Sequence, residues 1–240
     1  AYGDNVTGKL GWSWDLAPAW TVRALGGTAF RGPSFNDLYF PGYGVAGIRP
    51  ERARSVELGV NWRSNAAQAS LTVYRNQVRD LIGYQPDRTQ CPIDPAYDFG
   101  CAANVARARL QGVSFASSGA WQQVRWRANA DWLEARDTGT GEWLPRRARH
   151  QEYVAIDWVN GPVTSGLAVQ SVGRRPDSGQ WLSAYQTLDL KLLWRFAPQW
   201  QVESKLLNAT NRSYAAALDS PAPGRQAWVG VRYRMGAEAP

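Results

Sequence analysis

Histidine is almost absent from this sequence: there is one in 240 residues, His150, and no serine–aspartate pair stands near it as a relay. Nucleophilic hydrolysis of the serine type therefore has no support, and His150 reads as a loop-edge residue. Cysteine is nearly as scarce, with two residues. No clustered metal-ligand spacing and no glycine-rich phosphate loop occurs, so no metal, no cofactor and no enzymatic activity is expected. Long apolar runs are missing too. The longest are a few residues, against the roughly 20 that a membrane-spanning helix requires. The first residues, AYGDNVTGKL, hold no basic segment followed by an apolar one, so they are not an export signal. Carboxylates are outnumbered, and the formal net charge is +7. The arginines recur singly at alternate positions, as at Arg125 and Arg127 or Arg232 and Arg234, rather than in clusters, which excludes a nucleic-acid partner.

What is plentiful is aromatic residues, 13 Trp, 10 Tyr and 6 Phe, set in segments with a period of two. Side chains on a strand point alternately to opposite faces, so such a segment has one apolar and one polar side. In SVELGVNWR, Val56, Leu58, Val60 and Trp62 oppose Ser55, Glu57, Gly59, Asn61 and Arg63. In VRWRANADW, Val124, Trp126, Ala128, Ala130 and Trp132 oppose Arg125, Arg127, Asn129 and Asp131. Leu188, Leu190, Leu192, Trp194 and Phe196 oppose Thr187, Asp189, Lys191 and Arg195, and the last strand repeats the rule with Ala227, Val229, Val231, Tyr233 and Met235.

The connections alternate as well. Short turns fall at 16–19, 64–67, 118–122, 160–163 and 197–199, and long polar segments at 32–52, 83–104, 137–149, 176–184 and 212–224. Tight turns at one end and long loops at the other are the asymmetry of outer-membrane barrels, whose long loops face outward. The fold class is therefore all-β, a transmembrane antiparallel β-barrel, with about eleven strands of roughly ten residues in this chain. Trp20, Trp121, Trp143, Trp181 and Trp200 sit near strand ends, where interfacial girdles form. Asp131, Glu134 and Asp137 are expected to form ion pairs in the lumen. CPIDPAYDFGC, a turn-rich loop, predicts a local disulfide between Cys91 and Cys101, which fits an extracytoplasmic compartment.

FRGPSFNDLYFPGY (30–43) followed by IRPERARSVELG (48–59) resembles the barrel of TonB-dependent receptors, which carry an Arg-Ala-Pro-Ser-Phe-like run, then Leu-Lys-Pro-Glu and a Glu-Leu-Gly strand. LTVYRNQVRDLIGY (71–84), NVARARLQGVSF (104–115), LLNATNRSY (206–214) and PGRQAWVGVRYRM (223–235) are similar to the family in the same order. The resemblance implies that residues 1–240 are the C-terminal part of a barrel of about 22 strands, with the plug domain, the TonB-contacting segment and the first strands preceding it. It also implies residence in the bacterial outer membrane, with its lipid as partner. The implied activity is energy-coupled uptake of a scarce nutrient, with TonB reached through the absent N-terminal segment. Family barrels commonly finish on an aromatic residue, whereas here GAEAP follows Met235, which implies less efficient assembly.

Within the family, LPRRARHQ (144–151) is similar to a run in the cobalamin receptors whose first arginine approaches the ligand, and that role carries over to Arg146. A lumen arginine in an electrostatic ladder is the competing reading of Arg146. An aromatic following a Gly-x-Arg-x-Asp element falls at Trp181, beyond GRRPD (173–177), and here it is tryptophan instead of tyrosine. Tyr39, Phe40 and Tyr43 are the loop aromatics expected to cover an apolar ligand surface. Cobalamin is the first candidate, a siderophore or haem the second; a passive pore or structural barrel is the candidate of a different class. An odd number of strands with two unpaired edges leaves lipid-exposed backbone groups unsatisfied at several kcal/mol each. The 240 residues by themselves are accordingly expected to give neither liposome conductance nor ligand binding when both are measured.

Overall fold

A computed structural model describes residues 5–235; GAEAP (236–240) lies outside the described residues. Eleven strands form one sheet: β1 (Lys9–Ala17), β2 (Trp20–Arg31), β3 (Glu51–Arg63), β4 (Ala67–Gln85), β5 (Cys101–Trp121), β6 (Val124–Asp137), β7 (His150–Asn160), β8 (Val163–Val172), β11 (Tyr185–Ala197), β12 (Trp200–Leu207) and β15 (Gln226–Tyr233). Every strand pairs antiparallel with its neighbour in chain order, so the sheet is a simple meander. Two hairpins stand apart in the long loops, β9 (Arg175–Asp177) with β10 (Gln180–Leu182), and β13 (Ala215–Ala217) with β14 (Ser220–Pro221). Among the described residues β1 and β15 each have one neighbour, and the barrel is not closed. No helix among them is long and apolar enough to cross a membrane, which leaves the strands to do so.

The register converts sequence alternation into a continuous belt. Trp12 pairs with Ala24, Ala24 with Leu58, Leu58 with Val73, Val73 with Val113 and Val113 with Trp132. Farther round, Ile156 pairs with Leu167, Leu167 with Leu190 and Leu190 with Leu206. These side chains are exposed, Leu58 at 52%, Trp132 at 50% and Leu190 at 42%. Roughly twenty large apolar side chains stand on this face, and leaving each in water costs about 1.5–3 kcal/mol. The sum reaches tens of kcal/mol, more than a domain's whole net stability, so the face belongs in hydrocarbon.

Aromatic residues gather at the short-turn end of the belt. Trp20 lies 6.5 Å from Trp62 between ring centres, Trp194 5.6 Å from Phe196, and Trp200 4.8 Å from Tyr233. The opposite face carries the polar set. Lys191 pairs with Asp157 at 2.8 Å, Arg23 donates to Thr72 Oγ1 at 3.2 Å, and Ser114 hydrogen-bonds Asp131. A polar cavity of about 1000 Å³ opens on this side at the short-turn end, lined by Arg23, Asn61, Arg63, Gln68, Arg127 and Asn129.

Two expectations are corrected. The turn expected at 118–122 is tighter and later: β5 continues to Trp121, and the reversal is Gln122–Gln123, with Gln122 at φ 52°. ASSGA has the composition of a loop, yet it is paired along its length because the Trp126 ring packs across Gly119, where a side chain would leave no room. Glu134 does not face the lumen with Asp131. They are three positions apart, an odd step, so Glu134 shares the outward face of Trp132. It holds Arg136 Nε at 2.9 Å there.

The long strands β4 and β5 continue well past the belt. Their shared ladder runs to Gln85 opposite Cys101, interrupted by a bulge at Asp80 with φ 55°. The loop between them is closed by a Cys91–Cys101 disulfide. With the belt as the lipid surface, Leu167→Arg on it lowers stability in bilayers by about 2–4 kcal/mol, whereas Gln170→Arg on the opposite face has well under half that effect. Urea unfolding of the protein folded into lipid vesicles measures both.

Candidate functional site

The long loops gather at one end of the sheet, and what organises them starts from GRRPD. After β8 the chain turns into β9, whose alternation points Arg175 and Asp177 to one side and Pro176 to the other. Asp177–Ser178–Gly179 makes the turn into β10, with Ser178 at φ 48° and Gly179 at φ 79°. Asp177 is 2% exposed. A buried carboxylate is tolerated only when paired and hydrogen-bonded, and Asp177 accepts from the Leu218 N–H at 2.8 Å and from Arg146 Nε at 3.1 Å. Arg146, itself at φ 59°, also donates its backbone N–H to Pro176 O at 2.7 Å.

Asp177 thus joins three separate loops: its own, the 138–149 loop through Arg146, and the 208–225 loop through Leu218. Arg175 doubles the last connection. It is 5% exposed, donates to the carbonyls of Ala215 and Ala216, and lies 5.5 Å from the Tyr185 ring, which stacks on Tyr214 at 4.0 Å. Beneath the 138–149 loop, Leu144 packs with Val78, Ala108 and Ala135 in a small buried cluster. All three strand residues face inward, so the loop is anchored within the mouth.

The candidate residues fall into two groups. Arg146 is held by Asp177 but its side chain is 62% exposed, so the ion pair leaves part of the guanidinium open to a ligand. Trp181 pairs with Pro176 and lies on the side of its hairpin opposite Arg175 and Asp177, 4.9 Å from the Arg174 guanidinium. Near it, the Trp143 ring has the Arg136 guanidinium 4.1 Å and the Arg149 guanidinium 4.7 Å from its centre, in a groove of about 1160 Å³.

Tyr39, Phe40 and Tyr43 belong to the 32–50 loop. There Ser34 and Asp37 form a capping box at α1 (Phe35–Tyr39), and Arg31 bridges Asp37 at 3.3 Å and Glu51 at 2.6 Å. Tyr39 and Phe40 are 58% and 54% exposed. Tyr43 is partly buried, and burial together with the Asp37 charge raises its pKa. This loop is braced by the disulfide loop, through Tyr97 OH to Gly44 O at 2.7 Å and the Ala102 N–H to Tyr43 O at 2.7 Å. No hydrogen bond, ion pair or ring contact among the described residues links this group to Arg146 or Trp181. Sequence reasoning misses the Asp177 hub, whose available signal is the Asp-Ser-Gly turn directly after Arg-Arg-Pro.

The Asp177 carboxyl is held below the usual carboxylate range, first by the Leu218 N–H, then by Arg146 and Ser178, against the opposing effect of burial. A carboxylate with a depressed value contributes stability that is fully present above its unfolded value of about 3.9 and is lost as pH falls through the folded value. The loop clamp is therefore expected to persist at pH 4 and to open only in stronger acid. Asp177→Asn should release it at neutral pH, and hydrogen exchange of the Leu218 amide reads this as an acceleration on the order of tenfold.

Comparison with known proteins agrees with this geometry. The family described as "TonB dependent receptor-like, beta-barrel" matches residues 1–211. The vitamin B12 transporter BtuB of Vibrio vulnificus (strain YJ016) is 27% identical over 98% of this chain, and that of Photobacterium profundum 25% identical over 90%. The chain spans 38% and 36% of those two relatives. Among solved structures, the copper transporter OprC superposes with a TM-score of 0.81 at 18% identity, over 95% of this chain and 40% of that one. The siderophore receptor PirA of Acinetobacter baumannii gives 0.77 at 16% identity, over 95% and 41%. A meander of lipid-facing strands, tight turns at one end, interlocked loops at the other and a family match over most of its length place this chain in the TonB-dependent receptor β-barrel family of the bacterial outer membrane, whose members are receptors and transporters and not enzymes.

Proposed function

We propose that this chain supplies wall, outer loops and part of the ligand vestibule of a receptor that imports cobalamin by TonB-dependent energy coupling. The observation that carries the reading is Arg146, the first arginine of LPRRARHQ, held at the mouth by a buried carboxylate with most of its side chain open. A guanidinium fixed in this way is pre-organised for polar or anionic substituents of a large ligand. Tyr39, Phe40 and Tyr43 on one loop offer apolar cover for the remainder of such a molecule, whereas Trp181 lines the groove on the outer side of the wall with Trp132 and Arg136. The identity to proteins named vitamin B12 transporters over nearly the whole chain supports the same ligand.

The free edges of β1 and β15 would be closed by further strands, since an unpaired edge in lipid costs several kcal/mol per group. TonB and a plug are proposed to act through segments other than the wall described above. A ferric chelate is the second reading. Arg147 is exposed on the same loop as Arg146 with no carboxylate within 4 Å among the described residues, which suits an anionic ligand.

Titration of the protein purified from outer membranes with cyanocobalamin and with a ferric catecholate separates the two. Tight cobalamin binding is expected, weakened tenfold or more by Arg146→Ala and less by Arg146→Lys. Micromolar or weaker cobalamin binding beside tight chelate binding rejects the first reading. Uptake is expected to stop when TonB is removed; uptake that continues without it identifies a passive pore.

A further inference from the structure

Arginine is unevenly spread over the outward face of the wall. On β3 to β6 it begins one or two outward positions beyond the last apolar side chain. Val56 is followed outward by Arg54 and Arg52, Val73 by Arg75 and Arg79, and Val113 by Gln111 and Arg109; beyond Trp132 stand Glu134 and Arg136. The register shows that these residues share the belt's face: Arg54 pairs with Gln77, Gln77 with Arg109 and Arg109 with Arg136, in a row parallel to the one through Leu58, Val73, Val113 and Trp132. From β7 onward the first positions on this face beyond the last apolar side chain are Glu152, Ser171 and Gln186, with no arginine among them.

This patch is electrostatically incomplete. Arg52 stands directly opposite Arg79, and Arg109 directly opposite Arg136. Like charges facing each other across strands destabilise a sheet. Among the described residues Glu134 is the single carboxylate within 4 Å of these arginines, 2.9 Å from Arg136 and 3.8 Å from Arg109. Arg54, Arg75 and Arg79 have no carboxylate within 4 Å among the described residues, and Arg109 Nε is buried without a hydrogen-bond partner. Inward-facing Arg125, Arg127 and Arg232 also lack a carboxylate within 4 Å among the described residues, so what sets the patch apart is its place directly beyond the apolar belt. Next to the patch the outward groove offers the Trp132 and Trp143 rings, with the Arg136 and Arg149 guanidinium groups 4.1 and 4.7 Å from the Trp143 ring centre.

We infer that this patch binds the phosphate-bearing headgroup of an outer-leaflet lipid, whose acyl chains lie on the Val56, Val73, Val113 and Trp132 belt below it. The place fits an amphiphile, because guanidinium groups start where hydrocarbon contact stops. Arginine pairs with phosphate through two parallel N–H donors, and an anion above the row relieves the Arg52–Arg79 and Arg109–Arg136 repulsion. Basic residues at a membrane surface are attracted to anionic lipid, and each contributes to the binding. A soluble anion would account for the charge but not for the unbroken continuation into the apolar belt. The inference rests on the outer-membrane placement of the wall and is independent of which nutrient is imported.

The test uses the protein extracted from outer membranes, stripped of lipid and placed in phosphatidylcholine nanodiscs containing either bis-phosphorylated lipid A or the same lipid with its phosphates removed. Native mass spectrometry counts the lipid A retained as sodium chloride is raised. The protein is expected to retain the phosphorylated form in preference, and Arg54→Gln/Arg75→Gln/Arg79→Gln to weaken retention tenfold or more. Arg125→Gln/Arg127→Gln/Arg232→Gln, an equal charge change on the inward face, should leave it unaltered. Equal retention by the two triple variants overturns the proposal, as does equal retention of the two lipids. Displacement by millimolar inorganic phosphate assigns the patch to a free anion and overturns it too. Should the first triple variant not fold, Arg75→Gln alone and the salt dependence of the unaltered protein decide, with retention that ignores salt counting against the proposal. Cyanocobalamin affinity, read separately, is expected to be equal in both triple variants, so failure of the uptake reading would be recognised on its own.

Discussion

Hydrocarbon offers a backbone no hydrogen-bond partners, and almost everything in this structure follows from that. Each N–H and C=O inside the membrane must be met by a neighbouring strand, which is why the eleven long strands pair strictly in chain order with tight reversals. The same medium selects apolar side chains on one face only. The belt from Trp12 through Leu58 and Val113 to Trp132 is therefore continuous across strands far apart in sequence. The constraint ends at the aromatic girdle on one side and at the row of arginines on the other. Between those limits the wall has little freedom, and outside them the chain can build a site.

Built on that wall, the long loops reach order by mutual support instead of a conventional core. Asp177 is buried because three loops close over it, and each contributes a donor or a covering segment. Arg175 fixes the same loops through backbone carbonyls, while Leu144 sinks into an inward-facing pocket of small side chains. The outcome is a mouth in which an exposed cation, Arg146, is positioned by a neutralising partner without being covered by it. A second loop pair, tied by the Cys91–Cys101 disulfide and Tyr97, presents Tyr39 and Phe40 separately. The residues proposed to meet a ligand are thus distinct from those that face lipid, and relatives that share the fold are named for vitamin B12, copper and siderophores.

Legibility in the sequence follows the strength of the physical pattern. Val56, Leu58, Val60 and Trp62 announce their shared face because lipid contact favours apolar side chains at every second position. Boundaries are less clear where composition and pairing disagree. Ala116 to Ala120 looks like loop, but Trp126 covers the small residues and keeps them in the ladder. Closeness in sequence suggests that Glu134 shares the lumen face with Asp131, while the parity of a strand sends the two to opposite sides. That same parity, applied to Arg54, Arg75 and Arg109, exposes a charged patch that composition alone spreads evenly over the chain.

The sequence by itself determined the class of fold, the environment and the family, since alternation, turn lengths and ordered motifs are local or sequential properties. It also marked Arg146 and the loop aromatics as residues of interest. Only the tertiary structure decided that Asp177 joins three loops, that Trp181 turns away from that junction, and that arginines from four strands meet outside the belt. Those are relations between segments tens of residues apart. Register and loop packing create them, and neither is written in any one stretch of chain.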